Sequence, residues 1–190
     1  ETVYLGTWPR ESLVRAGGFD EEMVRNQDDE LNYRIRKAGG TVWLDPTIRS
    51  EYTPRGSLLK LWSQYRQYGL WKVRVFQKHP SMMRWRHFVP AAFVLTALAG
   101  ALLALTVPWG RYAFAAGAAV YVSAGAVTAV RAAASPSERL VMPLVFATIH
   151  AAYGTGFLVG LVRFFPRWFR DPSGGRPSRG LASGLERKRP

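Results

Sequence analysis

Asn26-Gln27-Asp28-Asp29-Glu30-Leu31 sets three consecutive carboxylates at the head of a short helical stretch. The pattern predicts a helix to about Ala38, stopped by Gly39-Gly40. Ahead of it lies Gly17-Gly18-Phe19-Asp20-Glu21-Glu22, a tight glycine turn followed by more acid. An aspartate at a helix start ordinarily caps unpaired amides and meets a favourable dipole, for ~0.5–2 kcal/mol. Three adjacent carboxylates also repel, which predicts a raised proton affinity in at least one of them. Such a group suits a general base, because a hydroxyl nucleophile must lose its proton as it attacks.

Outward from this stretch, residues 1–56 read as α/β. Val3 to Gly6 reads as a strand end. Pro9 suits the first position of a helix over Arg10–Ala16, with Leu13 and Val14 facing inward and Gly17 as its left-handed stop. Thr41-Val42-Trp43-Leu44 reads as a strand ended by Asp45-Pro46, and Ile48–Thr53 as a second. About fifty residues bury too small a share of their surface to be stable alone. Partner strands are therefore expected upstream of Glu1, and the chain reads as the C-terminal part of something longer.

Residues 57–87 change character. Ser57 is a helix cap, and Leu58, Leu61, Trp62 and Tyr65 recur at helical spacing. Gln67-Tyr68-Gly69-Leu70-Trp71 follows, then Lys72, Arg74 and Lys78. Aromatic residues on one side and cations on the other describe a helix in the membrane interface, with a core helix as the alternative.

Residues 88–107 carry no charge, close to the ~20 residues needed to span hydrocarbon. Further apolar runs cover 112–130, rich in small residues that favour close helix packing, and 140–162. His150 and Tyr153 interrupt the third, where an interhelical hydrogen bond is the simplest use for them. Residues 166–190 read as a basic disordered tail.

The net charge of +13 is unevenly placed. Ten of the thirteen acids fall at or before Glu51, whereas cations flank the apolar runs. That placement points to membrane lipids rather than nucleic acid. Cysteine is absent, which removes disulfides and thiolate metal sites. By the positive-inside rule, the basic stretch before Phe88 and the basic tail both belong on the cytoplasmic side. Three full spans would separate them, so either the third run is re-entrant or the tail is exported.

Residues 1–80 resemble the C-terminal half of the catalytic domain of family 2 glycosyltransferases, of the bacterial exopolysaccharide type typified by succinoglycan-synthesis enzymes. The resemblance is carried by Arg10 through Gly18-Phe19-Asp20, by Asn26 to Leu31, by Arg34, by Ala38-Gly39-Gly40 and by Gln67 to Trp71. It implies a partial GT-A (Rossmann-like) α/β domain followed by about three transmembrane helices. The family's Glu-Asp pair falls on Gln27-Asp28, which carries the catalytic base to Asp28; the Gln leaves Asp29 as the alternative. Gly18, Phe19 and Asp20 resemble an acceptor-side loop, and a helix stop with an N-cap explains them equally well. Gln67 to Trp71 resembles the Gln-x-x-Arg-Trp motif with Leu70 in place of Arg. In that motif the Trp stacks on a sugar; interfacial anchoring explains Trp71 equally well.

The resemblance further implies an inverting transfer from a nucleotide-sugar donor to a lipid-linked or polysaccharide acceptor. It implies a multi-pass protein of the bacterial inner membrane with its catalytic part cytoplasmic. Mg²⁺ or Mn²⁺ is implied as cofactor, but no Asp-x-Asp motif or metal-ligand cluster occurs in this chain, so the chain alone is expected to be inactive. Two rivals stand beside this reading. One is a non-catalytic membrane subunit or remnant of a polysaccharide-synthesis complex, which would tolerate loss of Asp28. The other is a small channel, which would need polar pathway residues along several spans.

Overall fold

The computed structural model describes residues 6–49, 51, 56–133 and 135–170. Seven α-helices are found among them: α1 (Arg10–Arg15), α2 (Gln27–Lys37), α3 (Leu58–Lys78), α4 (Val89–Thr106), α5 (Gly110–Ala132), α6 (Pro136–Phe164) and α7 (Arg167–Arg170). Short 3₁₀ turns at Pro80–Met82 and Trp85–His87 join α3 to α4. The chain divides into two compact units. The first draws on Glu1–Pro54, Trp71–Met83 and Gly160–Pro190, the second on Arg55–Leu70 and Arg84–Val159.

The expected α/β domain is not there. Among the described residues there is no strand and no sheet, so the Rossmann-like GT-A assignment is overturned. Thr41–Leu44 is irregular chain, with Trp43 85% exposed. The physical reason is pairing: an extended segment needs a neighbour to satisfy its backbone N–H and C=O groups, and the described residues supply none. Ile48 and Arg49 are likewise irregular. Val3–Leu5, Thr53 and the tail beyond Arg170 lie outside the described residues.

The helical expectations fared better. Gly17 and Gly18 sit at φ 82° and 77°, in the left-handed region that stops α1. Val14 does not face inward; it is exposed, and α1 buries no residue. α2 starts after Asn26, itself left-handed at φ 62°, and ends before Gly39. Ser57 caps α3 by accepting a 3.3 Å hydrogen bond from the Lys60 amide.

The first unit has a small apolar core that includes Met23 and Leu31 with Val73, Val75 and Phe76 of α3 and Phe164 at the end of α6. Arg74 and Lys78 are buried too. The cation side of α3 is therefore an ion-paired face in this unit, not an open one.

In the second unit α4 and α5 form an antiparallel hairpin. Phe93 meets Tyr121 at 4.7 Å between ring centroids, and Gly100 faces Phe114. Gly110 abuts the Leu103 backbone, where a side chain would collide. α6 is packed against α3 through glycine: a Cβ on Gly69 would strike the Tyr153 carbonyl, and one on Gly156 would strike the Arg66 carbonyl. Only hydrogen at those positions allows so close an approach. His150 shares a 2.8 Å hydrogen bond with the Tyr121 hydroxyl, the interhelical bond expected for it. α4, α5 and α6 are each long and apolar enough to cross a membrane.

Candidate active site

The site is built on the first turn of α2, where the three carboxylates have different fates. Glu30 is 2% exposed and meets the Arg34 guanidinium one turn on in a two-pronged pair, with both N···O distances 2.7 Å. His79 Nε2 lies 2.7 Å from the same carboxylate. Burial pushes the Glu30 carboxyl up, but the hydrogen bonds from His79 and Arg34 outweigh it and hold it below its ordinary value. Mutual repulsion predicted an upward shift within the triplet, and at Glu30 the attached cations reverse it. Asp29 is also buried, and its carboxylate is ion-paired to Lys72 Nζ.

Asp28 is different. It is half-buried, and among the described residues its carboxylate has no hydrogen-bond or ion-pair partner. α2 has no side-chain cap, so Asp28 is not used as one. Of the three acids it alone is left available to a ligand.

Arg34 links the acid helix to the glycine turn. Beyond Glu30, its Nη2 donates to the Gly18 carbonyl at 2.6 Å and its Nη1 to the Ala16 carbonyl. The backbone of the Gly18-Phe19-Asp20 loop is thus pinned to the same guanidinium that neutralises Glu30. Phe19 is partly exposed and takes the Trp8 ring edge-on at 5.4 Å. Trp8 Nε1 in turn donates to Asn32 Oδ1 at 2.9 Å. Asp20 accepts the Glu22 amide at 3.0 Å and pairs with Lys78. Gln27 donates to the Met23 carbonyl, so it braces the turn before α2.

Glu22 anchors the unit to α3. Arg74 grips it from Nε and Nη2 at 2.8 and 2.9 Å, Lys78 approaches to 2.7 Å, and Arg167 of α7 joins them. Burial raises the Glu22 carboxyl, but Arg74 and Lys78 together lower it from its ordinary 4.5 to about 2. A lowered value in the folded state means the charged form is favoured there. Its contribution is complete above the ordinary value and is lost as pH falls towards 2. The thermal unfolding temperature is therefore expected to fall between about pH 5 and pH 2. Glu22→Gln should flatten that fall when unfolding is followed by circular dichroism; an unchanged slope would remove Glu22 from the acid response.

Gln67 and Trp71 lie one turn apart on α3. Trp71 is 9% exposed, its ring tilted 48° on Phe164 at 5.5 Å. Lys72, Arg74, Lys78 and His79 were not singled out as site residues from the sequence. Charge segregation was the available signal, since the acids before Glu51 needed cations and 72–86 holds five of them with no acid.

Among the described residues no group of three or more His, Asp or Glu is arranged to hold a metal ion. The acids are unsuited for it, because Asp20, Glu22, Asp29 and Glu30 are each paired with a cation. The donor set does not fit Mg²⁺ or Mn²⁺, which want oxygen ligands free of such partners.

No protein-family model matches the chain, and no solved structure gives a significant match. Two curated proteins are similar to it. The succinoglycan biosynthesis protein ExoA of Rhizobium meliloti (strain 1021) is 39% identical over 95 residues, which is 50% of this chain and 28% of that protein. A dolichyl N-acetyl-alpha-D-glucosaminyl phosphate 3-beta-D-2,3-diacetamido-2,3-dideoxy-beta-D-glucuronosyltransferase of Methanococcus voltae is 24% identical over 147 residues, 76% of this chain and 42% of the relative. The matched stretches thus span less than half the length of either relative.

Proposed function

We propose that this chain is the acceptor-side part of a family 2, inverting membrane glycosyltransferase, and that Asp28 is its general base. The observation that carries the proposal is the contrast within one helical turn: Asp29 and Glu30 are tied to cations, while Asp28 is half-buried and without a partner among the described residues. A base must be free to accept a proton within hydrogen-bond reach of the attacking hydroxyl. Asp28 is free among the described residues to take a proton and Asp29 is held by Lys72, which favours Asp28 over its neighbour.

In this reading the acceptor hydroxyl lies against Asp28 and passes it a proton while the oxygen attacks the anomeric carbon of a nucleotide-bound sugar. The nucleoside diphosphate leaves from the opposite face. Gly18, Phe19 and Asp20 border the acceptor, held in place by Arg34, and Gln27 shapes the approach to Asp28. Gln67 and Trp71 lie on the helix leading to the membrane. Trp71, packed on Phe164, leaves little ring surface for stacking on a sugar and serves in this reading to hold α3 in place. The acceptor is lipid-linked or a growing polysaccharide, and the catalytic side is the cytoplasmic face of the bacterial inner membrane. The Mg²⁺ or Mn²⁺ implied for such enzymes would be held by groups outside the described residues.

The test is incorporation of labelled sugar from a nucleotide donor into glycolipid or polysaccharide by membranes carrying the full-length enzyme. Asp29→Asn is expected to retain transfer and Asp28→Asn to lose it. The reverse pattern would move the base to Asp29. Transfer unaffected by both would favour a non-catalytic membrane subunit.

A further inference from the structure

The segments that enter and leave the apolar region touch one another. Gln77, near the end of α3, donates a 2.8 Å hydrogen bond to the carbonyl of Phe164, the last residue of α6. Trp71 packs on the same residue, and Glu22 binds both Arg74 of α3 and Arg167 of α7. All of these belong to one compact unit. Hydrogen-bonded neighbours cannot stand on opposite faces of a hydrocarbon layer ~30 Å thick. The chain between Gln77 and Phe164 must therefore cross an even number of times, although it holds three helices of sufficient length.

The second unit identifies the helix that does not cross. The α4–α5 hairpin keeps one register throughout, with Phe93 opposite Tyr121, Gly100 opposite Phe114 and Leu103 opposite Gly110. Continued downward, that register sets Gly125 of α5 level with the first turn of α4. α6 meets Gly125 through Pro143, whose Cβ would lie 3.6 Å from a side chain added at that glycine. It meets the first turn of α4 through Gly154, where a side chain would strike the Pro90 carbonyl, and through Phe157 against Phe88 at 5.5 Å. Pro143 and Gly154 are eleven residues apart, so a helix parallel to the hairpin would rise about 16 Å between them. Pro143 and Gly154 instead both meet the hairpin near its open end, and His150 between them reaches Tyr121 and Phe93 only about one turn further in, so α6 runs across that end.

We infer that α4 and α5 are the two membrane crossings and that α6 lies in the leaflet on the side where α4 begins, its surface partner the acyl chains and head groups of that leaflet. Its 29 residues would reach about 43 Å as a straight helix, longer than a perpendicular crossing needs. Leu140, Leu144 and Val162 expose the apolar surface such a helix presents to lipid. The arrangement puts the cations before α4 and those after α6 on one face, as the positive-inside rule requires. It rests on reading α4–α6 as membrane helices and is independent of the role of Asp28.

The 190 residues contain no cysteine, so single cysteines placed among them report position once any cysteine elsewhere in the full-length protein is replaced by serine. Lys37→Cys, Arg111→Cys and Ser178→Cys, each in the full-length protein, are labelled with a membrane-impermeant maleimide in inverted vesicles and in right-side-out spheroplasts. Ser178 follows α7 with no apolar run between them. The expected result is that Lys37→Cys and Ser178→Cys react in the same preparation and Arg111→Cys in the other. Reaction of Ser178→Cys together with Arg111→Cys, against Lys37→Cys, would establish three crossings and overturn the inference. All three reacting in one preparation, or release of the protein by carbonate, would remove the membrane reading itself. None of these outcomes bears on Asp28, which the transfer assay tests separately.

Discussion

Asp28→Asn in the full-length enzyme is expected to lower sugar transfer by about 10²–10⁴-fold, the usual contribution of a positioned general base. The amide keeps the size of the side chain and loses the ability to take a proton. Because Asp28 has no partner among the described residues, its replacement breaks no ion pair or hydrogen bond among them. Melting temperature and membrane insertion should therefore be unchanged. That separation makes the variant informative, because most activity losses at acidic clusters come through folding. The comparison uses initial rates at saturating donor with thermal unfolding on the same preparation. Wild-type rates in the variant would remove Asp28 from the chemistry.

Glu30→Ala is expected to behave in the opposite way, as a folding defect. Its carboxylate is 2% exposed and is held by Arg34 and His79. Removing one partner of a buried pair leaves the other charge unmatched, at a cost of about 3–5 kcal/mol. The damage should reach the glycine turn, because Arg34 also holds the Ala16 and Gly18 carbonyls. Urea unfolding should show the loss of stability, and limited proteolysis should cut near residues 16–20 sooner than in the wild type. Glu30→Gln should fall between the two, since it keeps hydrogen-bond acceptance without the charge. A stability change within about 0.5 kcal/mol, the usual range for surface sites, would mean the pair is not a structural element.

The two substitutions lie two residues apart and separate the helix by use. A run of three like charges looks uniform on paper, and helical geometry makes it unequal. Successive residues project about 100° apart around an α-helix, so Asp28, Asp29 and Glu30 face different surroundings. Asp29 finds Lys72 and Glu30 finds Arg34 and His79. Only the Arg34 contact is local, at the four-residue spacing that faces along a helix. It was open to reading in advance; the contacts from α3 were not.

The sequence by itself determined the helices and their ends, because these depend on neighbours within a few residues. The left-handed stop at Gly17, the termination of α2 before Gly39 and the cap at Ser57 are local geometry. The three apolar runs followed equally directly from their uncharged length. Tertiary structure decided the rest. Thr41–Leu44 has the composition of a strand and is not one, since a strand exists only when a second segment takes up its backbone hydrogen bonds. The cations of α3 read as the polar side of a helix in the membrane interface, and they are ion-paired to acids some fifty residues earlier. The course of α6 was likewise undetermined, because hydropathy reports that a helix is comfortable in lipid and not the angle at which it lies. That angle is set by Gly69, Gly154 and Gly156, where missing side chains let backbones meet.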